Sequence, residues 1–344
     1  MIKHKKVLMV GNLPTQDPRS IGGATVLTQR ILEYLKEKEE IEVSFLVNRK
    51  NWKPKGQILD FFILFFKFLW IQKNFNYISF HASTDFHLTI GPLVTGICRV
   101  FNKKYTYHFF GGNFHKRFER LPKFYQKWIE VTILRADTVF METLEMIRFF
   151  ERENIHLKWL PNSRKAIEVK PTVRKFNKRF VFISRVTPTK GIDVLIESTK
   201  NLPTDYVVDI YGPLDIKFYQ EGVFKNLSLN YCGSIEADKV IPTLLKYDVL
   251  VLPTFHPGEG YPGIIIEALS VGLPVISTKW NAIEELITNE VNGKIIPIQS
   301  NQALTKAIKS FSNENYQTYS KNALDSFANF NSDLVFKRIV ESYD

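Results

Sequence analysis

Apolar runs bounded by Gly, Pro, Asn or Asp alternate along this chain with longer segments whose apolar positions recur every three or four residues. The runs read as strands and the longer segments as helices. Strands are expected at 6–10, 42–47, 77–80, 104–108 and 138–141, and again at 180–184, 207–211, 230–232, 249–252, 275–277 and 294–296. Helices are expected at 24–36, 121–134, 192–200 and 263–271, among others. Alternation of β and α means a parallel sheet covered on both faces, and here it happens twice. The polar, basic stretch 161–178 has no periodicity and divides the two. An α/β protein of two Rossmann-like domains follows. Such sheets bind ligands at the carboxyl ends of their strands, so two of them facing one another would create an interdomain cleft.

Length agrees with that division, since 344 residues are too many for one ordinary core and fit two domains of roughly 150 to 180. With 44% hydrophobic and 14% aromatic residues there is ample core material. The net charge of +11 is uneven: residues 1–180 hold 32 Lys+Arg against 16 Asp+Glu, and the remainder holds 14 against 19. A basic first half suits nucleic acid, an anionic membrane or an acidic substrate. Zinc spacing, a basic helix with heptads and an aromatic RNA-stacking motif are all missing from the sequence, so nucleic acid is not an expected partner.

In the segment 52–70, running from Trp52 to Trp70, Phe61, Phe62, Phe65, Phe66, Phe68 and Leu69 crowd beside Lys53, Lys55, Lys67 and Lys73. Interrupted by Asp60 and Lys67, it is too short to span a bilayer, which takes roughly 20 apolar residues. It reads either as a core-packed helix with a solvated basic face or as an interfacial anchor. Cys98 and Cys232 stand in apolar surroundings without metal or redox spacing and read as buried free thiols. The N-terminus runs straight into a strand with no signal-peptide pattern, so a cytoplasmic protein is expected, peripheral on the inner face of the membrane if the 52–70 segment anchors it.

The chemistry concentrates in the stretch Pro257-Gly-Glu-Gly-Tyr-Pro-Gly-Ile-Ile-Ile-Glu267. After a buried strand, Glu259 falls on a Gly/Pro-rich loop and Glu267 on the following helix, with the helix N-terminus between them. First-turn amides have no internal partners and carry the positive end of the helix dipole, which makes Gly263, Ile264 and Ile265 a candidate diphosphate seat. Carboxylates flanking an anion seat suit hydroxyls, because a carboxylate accepts two hydrogen bonds from a vicinal diol. A second constellation is Phe182-Ile-Ser-Arg-Val-Thr-Pro-Thr-Lys-Gly191, a strand end, a loop and a helix start carrying Arg185 and Lys190.

The first stretch resembles the Glu-x7-Glu signature of retaining glycosyltransferases of the GT-B fold, in the large family 4 (glycosyl transferases group 1), which uses nucleotide-sugar donors. The second resembles the same family's Arg-x4-Lys-Gly element. The resemblance covers nearly the whole chain and is strongest over 180–293. It implies an acceptor-side Rossmann-like domain at 1–163, a donor-binding one at 164–329, and a last helix within 330–344 that returns to the first. It implies that Glu267 binds the nucleotide ribose, Glu259 contacts the donor sugar, and Arg185 and Lys190 hold the diphosphate. Gly233, Ser234 and Ile235, in Tyr231-Cys-Gly-Ser-Ile235, match the segment whose main chain reads the base. Gly22 and Gly23, opening a helix after the loop 13–20, resemble the Gly-Gly loop near the diphosphate, and His108 at a strand end matches a histidine near the donor sugar. Asn162 resembles the Pro-Asn turn that enters the second domain and reads as a structural cap. The chain departs from the pattern at Trp280-Asn-Ala-Ile-Glu284, where a glycine pair is usual, and at Phe109-Phe110 after the histidine.

The implied activity is transfer of a sugar, with retention, from a UDP- or GDP-linked donor to an acceptor hydroxyl of a glycan or lipid-linked sugar in cell-surface polysaccharide assembly. In such reactions the departing phosphate oxygen takes the acceptor proton on one face of the sugar. Catalysis then rests on Glu259, Arg185, Lys190 and His108 for positioning and charge. No cofactor is expected, and no divalent metal, because the sequence lacks Asp-x-Asp and the cations stand in for one. The absence of a Gly-x-Gly-x-x-Gly pattern argues against a dehydrogenase. The alternatives are a non-catalytic nucleotide-sugar-binding scaffold of a glycan-assembly complex and a GT-B nucleotide-sugar epimerase.

Overall fold

A computed structural model describes residues 4–17, 20, 22–49, 51, 53–82, 84–152, 155–167, 175–224 and 228–344. Trp52, part of the 13–20 loop and the middle of the basic 161–178 stretch lie outside the described residues. The chain forms two compact units, Met1–Asn162 with Asp333–Asp344, and Ser163–Ser332.

The first unit is built on strands β1 (Lys5–Gly11), β2 (Ile41–Val47), β3 (Tyr77–Ala82), β4 (Lys104–Phe109), β5 (Thr138–Met141) and β6 (Leu157–Trp159). They form one parallel sheet in the order β2-β1-β3-β4-β5-β6. Side chains alternate across a strand, so β1 serves two cores. Val7 and Met9 pack with Leu27, Ile31 and Leu35 of the helix Gly23–Lys36 and with Val335, Phe336 and Ile339 of the last helix, Ser332–Val340. Leu8 and Val10 pack on the opposite face with Leu64, Phe68, Val94 and Cys98. The C-terminal segment thus belongs to the first sheet's core.

The second unit has β7 (Arg179–Ile183), β8 (Val207–Tyr211), β9 (Leu229–Tyr231), β10 (Val249–Leu252), β11 (Val275–Thr278) and β12 (Gly293–Ile296). They form a parallel sheet in the order β12-β11-β10-β7-β8-β9. The chain runs outward from β7 to β9, then returns to the other side of β7 with β10. The carboxyl ends of β7 and β10 therefore flank a topological switch point, where open α/β sheets take ligands.

The local differences from expectation have physical causes. The edge strand β6 was not foreseen, because its three residues are half-buried or exposed and carry no apolar run. The helix expected over 121–134 stops at Val131 and restarts as a 3-10 turn at Ile133–Arg135. Between them the Thr132 hydroxyl bonds the Trp128 carbonyl, and its own carbonyl accepts from Tyr105 Oη at 2.6 Å. Cys98 is buried as expected, whereas Cys232 is exposed at the end of β9.

The helix Pro54–Ile71 is tied to the core by Leu64 and Phe68. Its outward face is apolar rather than basic: Ile58, Leu59, Phe62, Ile63, Phe66, Leu69 and Trp70 are all exposed, Trp70 at 74%. The reading of a solvated basic face is corrected accordingly, because the exposed Lys55 and Lys67 are outnumbered by these seven exposed apolar side chains. Among the described residues no helix is long and apolar enough to cross a membrane.

Candidate active site

Lys190 and Glu259 are delivered to each other by neighbouring strands. After β7 the chain makes a 3-10 turn at Pro188–Lys190 and passes through Gly191, whose φ is +81°. A Cβ there would lie 2.1 Å from the Pro253 carbonyl oxygen, so only glycine lets this loop rest on the end of β10. The Phe255 amide completes the seam by donating to the Thr189 carbonyl at 2.8 Å. Lys190 Nζ lies 2.5 Å from Glu259 Oε2, which also accepts from Thr254 Oγ1 at 2.9 Å. Both side chains of the ion pair are about nine-tenths buried, at 10% and 9% exposure.

The Glu259 loop is braced by the segment that departs from the family pattern. Asn281, in the left-handed region at φ +46°, donates from Nδ2 to the Glu259 carbonyl at 3.1 Å, and Trp280 Nε1 donates to the His256 carbonyl at 2.8 Å. Sequence reasoning missed Trp280, Asn281 and His256, and the departure itself was the signal that could have found the first two. His256 is half-buried, with Nδ1 3.2 Å from Thr189 Oγ1. Burial, then Lys190, hold it below the ordinary histidine range against the pull of Glu259. Arg185 is exposed and makes no ion pair among the described residues.

Glu267 stands on the helix Gly263–Ser270, whose N-cap Pro262 offers no side-chain cap. Of the three expected amides, that of Ile265 is already used, donating to the Pro262 carbonyl at 3.0 Å. The seat therefore narrows to Gly263 and Ile264. Arg164, which the sequence did not single out, reaches this seat. Its Nε donates to Glu267 Oε1 at 2.5 Å and its Nη1 to the Ser163 carbonyl at 2.9 Å. A Cβ on Gly263 would meet Arg164 Nη2 at 1.8 Å, so the guanidinium lies against the helix start.

Gly233, Ser234 and Ile235 follow β9. Gly233 has φ +80°, and its carbonyl accepts from the Gly212 amide at 2.9 Å. Gly212 has φ +140°, and a Cβ there would fall 1.8 Å from the Ser184 carbonyl. The turns after β7, β8 and β9 are thereby stacked in register, with Ser234 exposed beside them.

In the first unit, a cavity of about 680 Å³ opens at the carboxyl ends of β1 to β4. Asn12, Asp17, Gly22, Gly23, Asn48, Arg49, Asp60, His81 and Phe110 are among its lining residues. Cβ atoms at Gly22 and Gly23 would meet nothing within 4 Å, so these glycines leave open space rather than relieve packing. His108 is not among the lining residues. It is 1% exposed, with the Phe110 ring 4.2 Å away. Burial, then His81 and His87, hold it well below the usual histidine range. The ring that the cavity reaches is His81, whose Nε2 is 2.9 Å from Ser79 Oγ and whose pKa burial lowers to about 3. His87 lies in the core against Phe109, and His115 pairs with Glu145 at 3.2 Å.

Two parallel Rossmann-like sheets, the second with paired carboxylates and cations at its switch point, define a two-domain α/β protein of the GT-B fold. Over 98% of its length the chain superimposes on 99% of HepE from Anabaena, crystallised with UDP, with a TM-score of 0.73 at 20% identity. The sucrose-phosphate synthase of Thermosynechococcus elongatus covers 99% of this chain, which matches 98% of that protein, with a TM-score of 0.70 at 14% identity. Residues 163–325 match the family described as glycosyl transferases group 1, and the second unit is a domain of that family. Among its relatives is the amylovoran biosynthesis glycosyltransferase AmsK of Erwinia amylovora, 30% identical over 37% of this chain and 34% of that protein. Another is a putative colanic acid biosynthesis glycosyltransferase, WcaL of Escherichia coli, 28% identical over 38% of this chain and 35% of that protein. The chain spans about a third of the length of these curated relatives.

Proposed function

We propose that the protein is a retaining glycosyltransferase that moves a sugar from a nucleoside-diphosphate sugar to an acceptor hydroxyl during assembly of a cell-surface polysaccharide. The observation that carries this reading is the Lys190–Glu259 pair beside the Glu267 helix at the β7/β10 switch point. Cations and first-turn amides there suit a diphosphate, and the carboxylates suit the hydroxyls on either side of it. Relatives named for amylovoran and colanic acid biosynthesis support the polysaccharide context. HepE, crystallised with UDP-glucose, supports a UDP-linked donor.

In this reading Glu267 takes the ribose diol, Glu259 the donor sugar, and Ser234 and Ile235 the edge of the base. Arg185, Lys190 and the Gly263 and Ile264 amides stabilise charge on the leaving diphosphate without a divalent metal. That diphosphate accepts the proton of the attacking hydroxyl, so no side-chain base is required. The first-unit cavity, lined by Asn12, Asp17, Asn48, Asp60 and His81, offers hydroxyl-binding groups to a glycan or lipid-linked acceptor. His81, which lines this cavity, rather than the more deeply buried His108, is the histidine offered to the substrates. The enzyme would draw its donor from the cytoplasm and rest on the inner membrane surface through the apolar face of Pro54–Ile71.

The test is titration with UDP, GDP and ADP, each with and without EDTA, followed by incubation with the matching nucleotide-glucose. EDTA-insensitive binding of one diphosphate, and slow donor breakdown that first releases the α-anomer, are expected. Binding without donor breakdown would reduce the protein to a nucleotide-sugar-binding scaffold, and absence of binding would remove the donor site. Release of an epimerised sugar would make it an epimerase.

A further inference from the structure

The second unit holds two acid–base pairs where a donor would carry two negative charges and two sets of hydroxyls. Lys190 is matched with Glu259 and Arg164 with Glu267. The second pair is less enclosed than the first, at 15% and 18% exposure, and it lies at the mouth of the helix Gly263–Ser270.

Arg164 is held there by its main chain as well as its side chain. Its amide donates to the Phe330 carbonyl at 2.9 Å, and its carbonyl accepts from the Ser332 amide at 2.8 Å. A cation at the positive end of a helix dipole is electrostatically disfavoured unless an anion accompanies it. Here Glu267 is that anion. With Gly263 presenting no side chain, the guanidinium lies against the first turn of the helix, the end that favours an anion.

Resting on the donor-site reading above, we infer that Arg164 is a diphosphate-binding residue and that donor binding exchanges ion-pair partners. The ribose hydroxyls take Glu267 from Arg164, and the diphosphate replaces Glu267 as the counter-ion of the guanidinium. Arginine suits this exchange because its planar fork binds carboxylate and phosphate with the same geometry. The guanidinium has an anionic partner before and after, and the carboxylate trades an ion pair for hydrogen bonds from the diol, so the pairing holds both groups in place ahead of the donor. The exchange also couples the two halves of the ligand, since a nucleoside alone would have to strip Glu267 from Arg164 and offer it no replacement.

The experiment compares UDP with uridine on wild type, Arg164→Ala and Arg164→Lys, with melting curves as the folding control. For Arg164→Ala the UDP Kd should rise about tenfold to a hundredfold, as for a lost charge-assisted hydrogen bond. The uridine Kd should stay the same or fall, because Glu267 is then released. Arg164→Lys should recover part of the UDP affinity. Equal weakening of UDP and uridine would make Arg164 a structural residue, and tighter binding of both would make it a plug. An unchanged UDP Kd would remove it from the site, and each of these three results overturns the inference. Should Arg164→Ala melt early, Arg164→Gln, which is shorter and uncharged but keeps a donor at the position of Nε, is read in its place. If wild type binds no nucleoside diphosphate, the donor-site reading itself falls, a result distinct from any difference between variants.

Discussion

Lys190 Nζ and Glu259 Oε2 meet at 2.5 Å across the ends of β7 and β10, and the two residues are 69 positions apart in sequence. The pair is enclosed, with Thr254 supplying a further hydrogen bond to the carboxylate. Deleting one member of such a pair strands a buried charge, which costs about 3–5 kcal/mol. Lys190→Ala is therefore expected to lower unfolding free energy by that order in urea titrations and to cut donor turnover at least about a hundredfold. Glu259→Gln, which leaves Lys190 a hydrogen-bond acceptor, should destabilise less than Lys190→Ala. Wild-type turnover in Lys190→Ala would remove this pair from the site.

Glycines separate into two kinds. Gly191 and Gly212 have positive φ, and their absent Cβ atoms would strike the Pro253 and Ser184 carbonyls. Alanine at either should destabilise by about 1–3 kcal/mol or more, read as an earlier melting transition. Gly23 faces open cavity, so Gly23→Ala should change stability by no more than about 0.5 kcal/mol while lowering turnover. Equal melting shifts for all three would contradict the distinction.

Acid should destabilise the first unit through its buried histidines. Burial lowers His81 and His87 to about 3 and His108 well below its ordinary value, while in the unfolded chain they titrate near the ordinary histidine value of about 6.5. Between those values the unfolded chain binds more protons than the native one, so stability rises with pH. The full stability is present above about pH 6.5 and is lost as pH falls toward 3, each histidine contributing up to about 1.4 kcal/mol per pH unit. Urea titrations from pH 7 to 5 should show this slope, and it should shrink by about one proton in His81→Asn.

The apolar stripe on Pro54–Ile71 should bind vesicles. Flotation with phosphatidylcholine vesicles containing anionic phosphatidylglycerol is expected for wild type at low salt, with weaker recovery on pure phosphatidylcholine. Replacing Phe62, Phe66 and Trp70 by serine should abolish flotation and leave UDP binding intact, because all three side chains are exposed. Recovery of the triple variant equal to wild type would end the membrane reading.

Strand periodicity and the two Glu/Lys-bearing loops were legible in the chain itself, because apolar alternation and Gly/Pro punctuation are local properties. Eleven of the twelve strands were expected, and ten of those hold four to six buried or half-buried residues of the kind such patterns mark. The sequence therefore determined the α/β class, the twofold repetition of the sheet, and the placement of Glu259, Glu267, Arg185 and Lys190 at strand ends and a helix start. Tertiary structure alone decided which cation meets which carboxylate. Arg164 finds Glu267 over 103 positions because the main chain at 330–332 clamps it there, and no local pattern encodes that pairing. The same holds for His81 facing the cavity while His108, its cross-strand neighbour in register, packs beside Phe110. Both sit on equally apolar strands, and what separates them is the set of neighbours each ring meets once the sheet is assembled.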